Sequence, residues 1–85
     1  MNERSYSMMS TELIKRFPKD PAKPILYVVY NDEMIESAKF LIEHIHGASY
    51  LKHVTITAFD ARPKDGHYEL YIDPTVYTYK HSWNN

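Results

Sequence analysis

An apolar run that leads directly into an amphipathic helix pattern is the feature that most constrains this chain. Ile25–Tyr30 is apolar at every position and rich in β-branched and aromatic residues, which is typical of a strand covered on both faces. Asn31 follows as the expected N-cap of a helix over Asp32–His46, and Gly47 stands where a left-handed C-cap is expected. The sequence therefore predicts a buried strand followed by a packed helix.

The pattern of this helix gives it one apolar side. Its apolar residues recur at three- and four-residue steps and fall in a stripe about 120° wide. They are Met34, Ile35, Ala38, Leu41, Ile42 and Ile45. Phe40 lies about 160° from the centre of that stripe, among charged side chains. The helix is thus expected to pack through the stripe, with Phe40 on the opposite side.

The rest of the chain predicts further strands. His53–Phe59 alternates between apolar and other side chains, which completes a β-α-β unit with parallel strands. Asp60–Gly66 is typical of a turn too short for a second parallel crossover, so His67–Asp73 is expected to return antiparallel. After Pro74, Thr75–Lys80 can add an edge strand. The expected fold is a small α/β protein with a mixed three- to four-stranded sheet (βαββ), one main amphipathic helix and a short N-terminal helix.

The N-terminal segment has a different pattern. Ser10 or Thr11 can cap a short helix that Pro18 ends, and a proline-rich linker follows. This divides the chain into an arm at residues 1–24 and a βαββ domain at residues 25–85. The short helix is expected to cover the sheet face opposite the main helix.

Composition excludes several chemistries. The chain of 85 residues has no cysteine, so disulfides, thiolate metal sites and cysteine nucleophiles are excluded. Its apolar runs are too short for a membrane span or a signal peptide. The expected location is therefore the cytoplasm.

The residues that bear catalytic chemistry do not form a known pattern. His44 and His46 diverge by about 200° on a helix and are not placed to hold one ion. A metal centre would need His46 and His53 with Asp60 or Asp73, but capping or solvated histidines and turn-forming aspartates are the favoured interpretation. Glycine-rich phosphate loops and serine-nucleophile motifs are absent from the sequence. We therefore predict no catalytic residue, no metal and no cofactor.

Two resemblances bear on the fold and the origin of the chain. Ile25–Gly47, Val54–Phe59 and Tyr68–Asp73 together resemble the part of P-loop NTPases between the phosphate-binding helix and the strand that ends in the metal-binding aspartate. On that resemblance Asp73 matches the Walker B aspartate, but the phosphate loop is missing, so the activity of that family is not carried over. The short, cysteine-free, tyrosine-rich and mildly acidic composition also resembles small accessory proteins of bacteriophages. That resemblance implies action in a host cytoplasm.

Phe40 is the first candidate for binding. A large apolar side chain among carboxylates is either covered by another segment or offered to a partner. If Phe40 is covered, the covering residue is expected to be Leu13, Ile14 or Phe17 of the N-terminal segment. A partner-binding surface would instead consist of Phe40, Glu36, Glu43 and His44.

Aromatic residues near the C-terminus are the second candidate. The chain has eight tyrosines and one tryptophan, and tyrosine suits interfaces because it combines contact area with a polar tip. Tyr71, Tyr77 and Tyr79 are expected to project from the less apolar face or the edge of the sheet. With Trp83 they are candidate partner contacts, unless the tyrosines complete a small core.

The favoured function is a non-enzymatic protein-binding module, for example a viral inhibitor or adaptor that occupies the surface of a host protein. A homodimer through the edge strand Thr75–Lys80 is a further possibility. One alternative is a small metal-dependent hydrolase or nuclease that uses histidine and aspartate.

Nucleic-acid binding is the other alternative, through the basic residues Lys15, Arg16, Lys19 and Lys23. Residues 1–24 carry five basic and three acidic side chains, whereas residues 25–85 carry five basic and eight acidic ones. The net charge of the whole chain is −1, so nucleic acid is disfavoured as the partner.

Overall fold

A computed structural model describes residues 10–58 and 73–81. In these ranges, three strands form one sheet in the order β2-β1-β3, and the helices pack against it. The elements are α1 (residues 10–15), β1 (Ile25–Val29), α2 (Asp32–His46), a 3-10 helix (Ala48–His53), β2 (Val54–Ala58) and β3 (Tyr77–Lys80). This small α/β architecture confirms the fold class predicted from the sequence.

The central strand is β1, which pairs in parallel with β2 on one side and β3 on the other. Tyr27 lies opposite Ile56 of β2 and Tyr79 of β3. The backbone N–H of His81 continues the β3 ladder by donating to the Val28 carbonyl at 3.0 Å. Four of the five β1 residues are buried, so the prediction of a covered strand is confirmed.

The other strand predictions have different outcomes. β2 begins one residue later than the predicted His53–Phe59, because His53 belongs to the 3-10 helix. Phe59 lies outside the described residues. The strand predicted near the C-terminus is present as β3, at one edge of the described sheet. The antiparallel strand His67–Asp73 falls almost wholly outside the described residues. Both pairings that the structure describes are parallel.

Helix α2 has the predicted bounds, and Asn31 is its N-cap as expected. The side chain of Asn31 accepts a hydrogen bond from the Met34 backbone N–H at 3.2 Å, which satisfies one of the free donors at the helix start. At the other end Gly47 has the expected positive φ of 98°, but its ψ of 154° is extended rather than left-handed helical. The Gly47 backbone N–H donates to the Glu43 backbone carbonyl at 2.9 Å.

Helix α1 packs on the same face of the sheet as α2, so the expectation that it covers the opposite face is wrong. Ile14 and Phe17 lie in one buried cluster with Tyr27 of β1 and Ile42 of α2. The reason is that α2 packs over β2 and β1, which leaves the β3 side of this face open. The Phe17 ring covers that side, 4.6 Å from the ring of Tyr79.

Residues 10–24 therefore share the core of the following domain and do not form a separate arm within the described part of the chain. The core residues are Ile14, Phe17, Ile25, Tyr27, Val29, Ala38, Ile42 and Tyr50. Ser10 is already helical, so it is not the N-cap that the sequence suggested.

The 3-10 helix was not predicted. It fills the connection from Gly47 to β2 and buries Tyr50. The Tyr50 hydroxyl donates a hydrogen bond to the Pro18 carbonyl, which ties this connection to the end of the α1 segment. The connection between α2 and β2 thus contributes to the core.

Candidate partner-binding surface

Phe40 is the most exposed large apolar side chain in the described residues, with 67% of its surface accessible. It lies in the third turn of α2, on the side away from the buried residues Ala38 and Ile42. The N-terminal helix does not cover it, because Ile14 and Phe17 are buried in the core instead. The alternative that the N-terminal helix covers Phe40 is therefore wrong, because α1 packs on the sheet side of α2.

The ring of Phe40 has polar neighbours in the adjacent turns of α2. We call this surface the Phe40 face, which consists of Glu33, Glu36, Ser37, Phe40, Glu43 and His44, all of them exposed. Residues three and four positions apart are neighbours on a helix surface. The His44 ring stacks beside Phe40 with a centroid separation of 6.2 Å and an interplanar angle of 9°. The two exposed rings thus lie side by side on this surface.

The charge of the Phe40 face is negative. Glu33, Glu36 and Glu43 contribute three carboxylates. The nearest described ion pair joins Lys39 Nζ to Glu36 Oε2 at 3.5 Å. Both partners are exposed, so this pair contributes little to stability. The face therefore presents an aromatic area in a negative surrounding.

The predicted aromatic contacts near the C-terminus have a different environment. Tyr77 and Tyr79 are half-buried and pack against the core cluster. They therefore lie on the helix-covered face and not on the less apolar face, although their strand β3 is at the edge of the described sheet. The cause is the parallel register with β1, which puts Tyr79 beside Tyr27 on the helix-covered side. Tyr71 and Trp83 lie outside the described residues.

Burial affects the ionisation of Tyr79 and Tyr50. It raises the pKa of the Tyr79 hydroxyl, and the neighbouring Tyr77 adds to this effect. Burial also raises the pKa of Tyr50, with smaller contributions from Tyr79 and Asp20. The Lys23 ammonium lies 5.0 Å from the centre of the Tyr77 ring, in cation–π range.

His46 and His53, the histidines of the alternative metal centre, serve packing or capping. His46 Nε2–H donates to the Ile14 carbonyl at 2.8 Å, and its ring stacks 4.4 Å from Tyr50. His53 meets the same tyrosine edge-on at 5.6 Å. In residues 10–58 and 73–81, no three histidine, aspartate or glutamate side chains are grouped to hold a metal ion. Asp60, which the alternative metal centre would need, lies outside these ranges.

Asp73, the other carboxylate of that set, holds a turn. It accepts hydrogen bonds from the Thr75 backbone N–H at 2.8 Å and from the Thr75 hydroxyl at 2.7 Å. These bonds favour the charged carboxylate and lower the pKa of Asp73 below its usual value of 3.8. The turn interpretation made from the sequence is therefore confirmed.

A buried polar contact joins two distant parts of the chain. The hydroxyl of Ser10 is hydrogen-bonded to Nε2 of His81, and both residues are buried. The ring of Tyr27 lies 6.3 Å from that of His81. Sequence reasoning missed this contact because 71 positions separate the serine from the histidine, and no local pattern pairs such residues.

The basic residues considered for nucleic-acid binding differ in their environment. Lys15, Arg16 and Lys19 are exposed, whereas Lys23 packs against Tyr77. No helix in the described part of the chain is long and apolar enough to cross a membrane.

No known family model, curated protein or solved structure matches this chain.

Proposed function

We propose that this chain is a non-enzymatic protein-binding module that docks through the Phe40 face. The single observation that carries the proposal is the 67% exposure of Phe40 on a helix whose opposite side is packed in the core. Aromatic side chains are enriched at protein interfaces relative to the rest of the protein surface.

The energetics support this proposal. Complete burial of a phenylalanine side chain contributes about 1.5–3 kcal/mol. The fold uses only a minor part of that energy, because two-thirds of the ring surface remains accessible. A partner that covered Phe40 would gain most of the remainder.

The position of the ring also favours binding. Helix α2 is capped by Asn31 and held to the sheet by Ala38 and Ile42, so its backbone is ordered before a partner arrives. Phenylalanine has only two rotatable side-chain bonds, which limits the entropy lost on contact. The Phe40 face is therefore a preorganised anchor.

In this proposal the module acts by steric occupation of a partner's surface. An inhibitor or adaptor works in this way, and the resemblance in composition to small phage proteins suggests a viral one. The occupied surface needs a pocket for the ring and a rim that tolerates carboxylates.

Affinity capture from the native cell with wild type and Phe40→Asp tests the proposal. The substitution puts a charge at the centre of the face, and we expect it to abolish capture of the partner while circular dichroism shows an unchanged fold. Lys52→Gln is the matched control, because it changes the net charge by the same amount at an exposed residue of the 3-10 helix. Equal capture by wild type and Phe40→Asp would contradict the proposal, and so would unfolding of Phe40→Asp.

A further inference from the structure

We infer that the partner presents an arginine side chain to the Phe40 face, where the guanidinium stacks on the Phe40 ring and pairs with the flanking carboxylates. This inference rests on the proposed function and specifies the chemistry of the partner. It follows from two features that occur together: an accessible aromatic ring and a negative surrounding.

The ring is accessible to a planar cation. Phe40 is 67% exposed, and its neighbour His44 lies nearly parallel, with a centroid separation of 6.2 Å. A cation within about 6 Å of an aromatic centroid is attracted by the negative charge on the ring face. Arginine is favoured because its guanidinium is flat and weakly hydrated, whereas the lysine ammonium is a compact, strongly hydrated charge.

Carboxylates stand on both sides of the ring along the helix. Glu36 precedes Phe40 by four residues and Glu43 follows it by three, so both belong to neighbouring turns of the same side. A guanidinium has five N–H donors and can stack on the ring while it donates to a carboxylate. An aromatic pocket on the partner would satisfy the ring but would leave these negative charges without a counterpart.

Lys39, the cation nearest in sequence to Phe40, does not already act as this charged partner. Lys39 pairs with Glu36 at 3.5 Å, and both side chains are exposed. Such a pair is weak in water, so a bidentate arginine can replace it. The remaining carboxylates of the solvent side of α2, Asp32, Glu33 and Glu43, also attract a positive partner.

Nuclear magnetic resonance titration with two blocked peptides tests the inference. One peptide contains three arginines separated by glycines, and the other has lysine in place of each arginine. We expect the arginine peptide to bind about threefold more tightly and to shift the Phe40 ring protons together with the amides of Glu36 and Glu43.

Phe40→Leu removes the aromatic face but keeps an apolar side chain, and it separates this inference from the proposed function. We expect this variant to bind both peptides equally, while the control Lys52→Gln keeps the threefold preference. Equal binding of the peptides to wild type, or no shift of the Phe40 ring at the highest soluble peptide concentration, would overturn the inference. If Phe40→Leu keeps full capture of the cellular partner while Phe40→Asp loses it, the protein-binding function stands and the arginine inference fails.

A second copy of the chain is the competing source of arginine, because Arg16 is exposed. Sedimentation velocity distinguishes this case. Self-association that is lost in both Phe40→Leu and Arg16→Gln would make a second copy the occupant and overturn the inference of a separate partner. A monomer at all concentrations supports the separate partner.

Discussion

Phe17 and Phe40 have identical side chains in opposite environments. Phe17 is 3% exposed and Phe40 is 67% exposed. The ring of Phe17 lies within 4.6 to 6.5 Å, centre to centre, of four other rings, those of Tyr27, His46, Tyr50 and Tyr79. Phe40 has one described ring neighbour, His44, which is itself exposed.

The difference between the two comes from how each residue is positioned. Phe40 belongs to a long helix whose apolar stripe sets its orientation, so local periodicity decides that the ring faces away from the core. Phe17 follows the helical residues 10–15 and precedes Pro18, so its direction depends on where the whole segment packs. A phenylalanine in a periodic helix can therefore be assigned to a side from sequence, but one at a chain bend cannot.

The largest expected effect is that of Phe17→Ala. Removing a buried phenylalanine ring leaves a cavity, and we expect a loss of about 3–5 kcal/mol in the free energy of unfolding. Urea denaturation followed by circular dichroism measures this loss. If the variant does not fold, Phe17→Leu keeps most of the volume and should lose only about 1 kcal/mol. A loss below about 1 kcal/mol for Phe17→Ala would show that the ring is not part of the core.

Tyr27, which meets Phe17 edge-on at 5.6 Å, provides a pH-dependent test of the same cluster. Burial raises the pKa of Tyr27 from 10.0 to about 12, and the nearby Ser10 hydroxyl offsets part of that effect. Because the folded pKa is the higher one, the stabilisation is fully present below pH 10 and is lost as the pH rises toward 12. We expect Tyr27 to account for a loss of about 2 kcal/mol over that interval.

Tyr27→Phe should remove this part of the alkaline loss, as measured by denaturation at pH values on both sides of 10. At neutral pH the variant should be as stable as wild type or more stable, because the Tyr27 hydroxyl is buried without a hydrogen bond of normal geometry to any described residue. Tyr30→Phe, at an exposed ring, is the matched control. An unchanged alkaline slope in Tyr27→Phe would mean that water reaches the Tyr27 hydroxyl in the folded state.

Asn31→Ala should have a smaller effect, on the helix that carries Phe40. It removes the cap bond to Met34, and we expect a loss of about 1 kcal/mol in the free energy of unfolding. Chemical denaturation measures the loss in the free energy of unfolding. Hydrogen exchange of the amides in the first turn of α2 shows whether that loss arises there. Asn31→Asp keeps the acceptor and should retain nearly full stability. Equal stability of all three proteins would mean that the cap contributes nothing to the docking of α2.

Local patterns were sufficient for the elements whose signals lie within a few residues. The apolar run at β1, the apolar stripe of α2 and the Asn31 cap are each encoded in one short window, and the structure has all three. The same applies to the orientation of Phe40, since helical periodicity alone puts it opposite the stripe. Whether another segment covers the ring was not a local question, and the sequence left both alternatives open.

The features that the sequence did not reveal depend on contacts between distant positions. The parallel placement of β3 beside β1 turns Tyr79 toward Phe17, and this pairing decides that the tyrosine is core rather than surface. The same pairing brings His81 near Ser10. The burial of Tyr50 is of the same kind, because its hydroxyl contacts the Pro18 carbonyl, 32 positions earlier in the chain.

The smallest expected effect on stability is that of Phe40→Ala, the counterpart of Phe17→Ala. The substitution removes an exposed ring and its stacking on His44, a contribution of a few tenths of a kcal/mol on a helix surface. Alanine also has a higher helix propensity than phenylalanine, which offsets that loss. We therefore expect the free energy of unfolding to stay within about 0.5 kcal/mol of wild type, measured by urea denaturation beside Phe17→Ala. A loss comparable with that of Phe17→Ala would show that Phe40 supports the fold, and the Phe40 face could then no longer be regarded as a surface kept free for a partner.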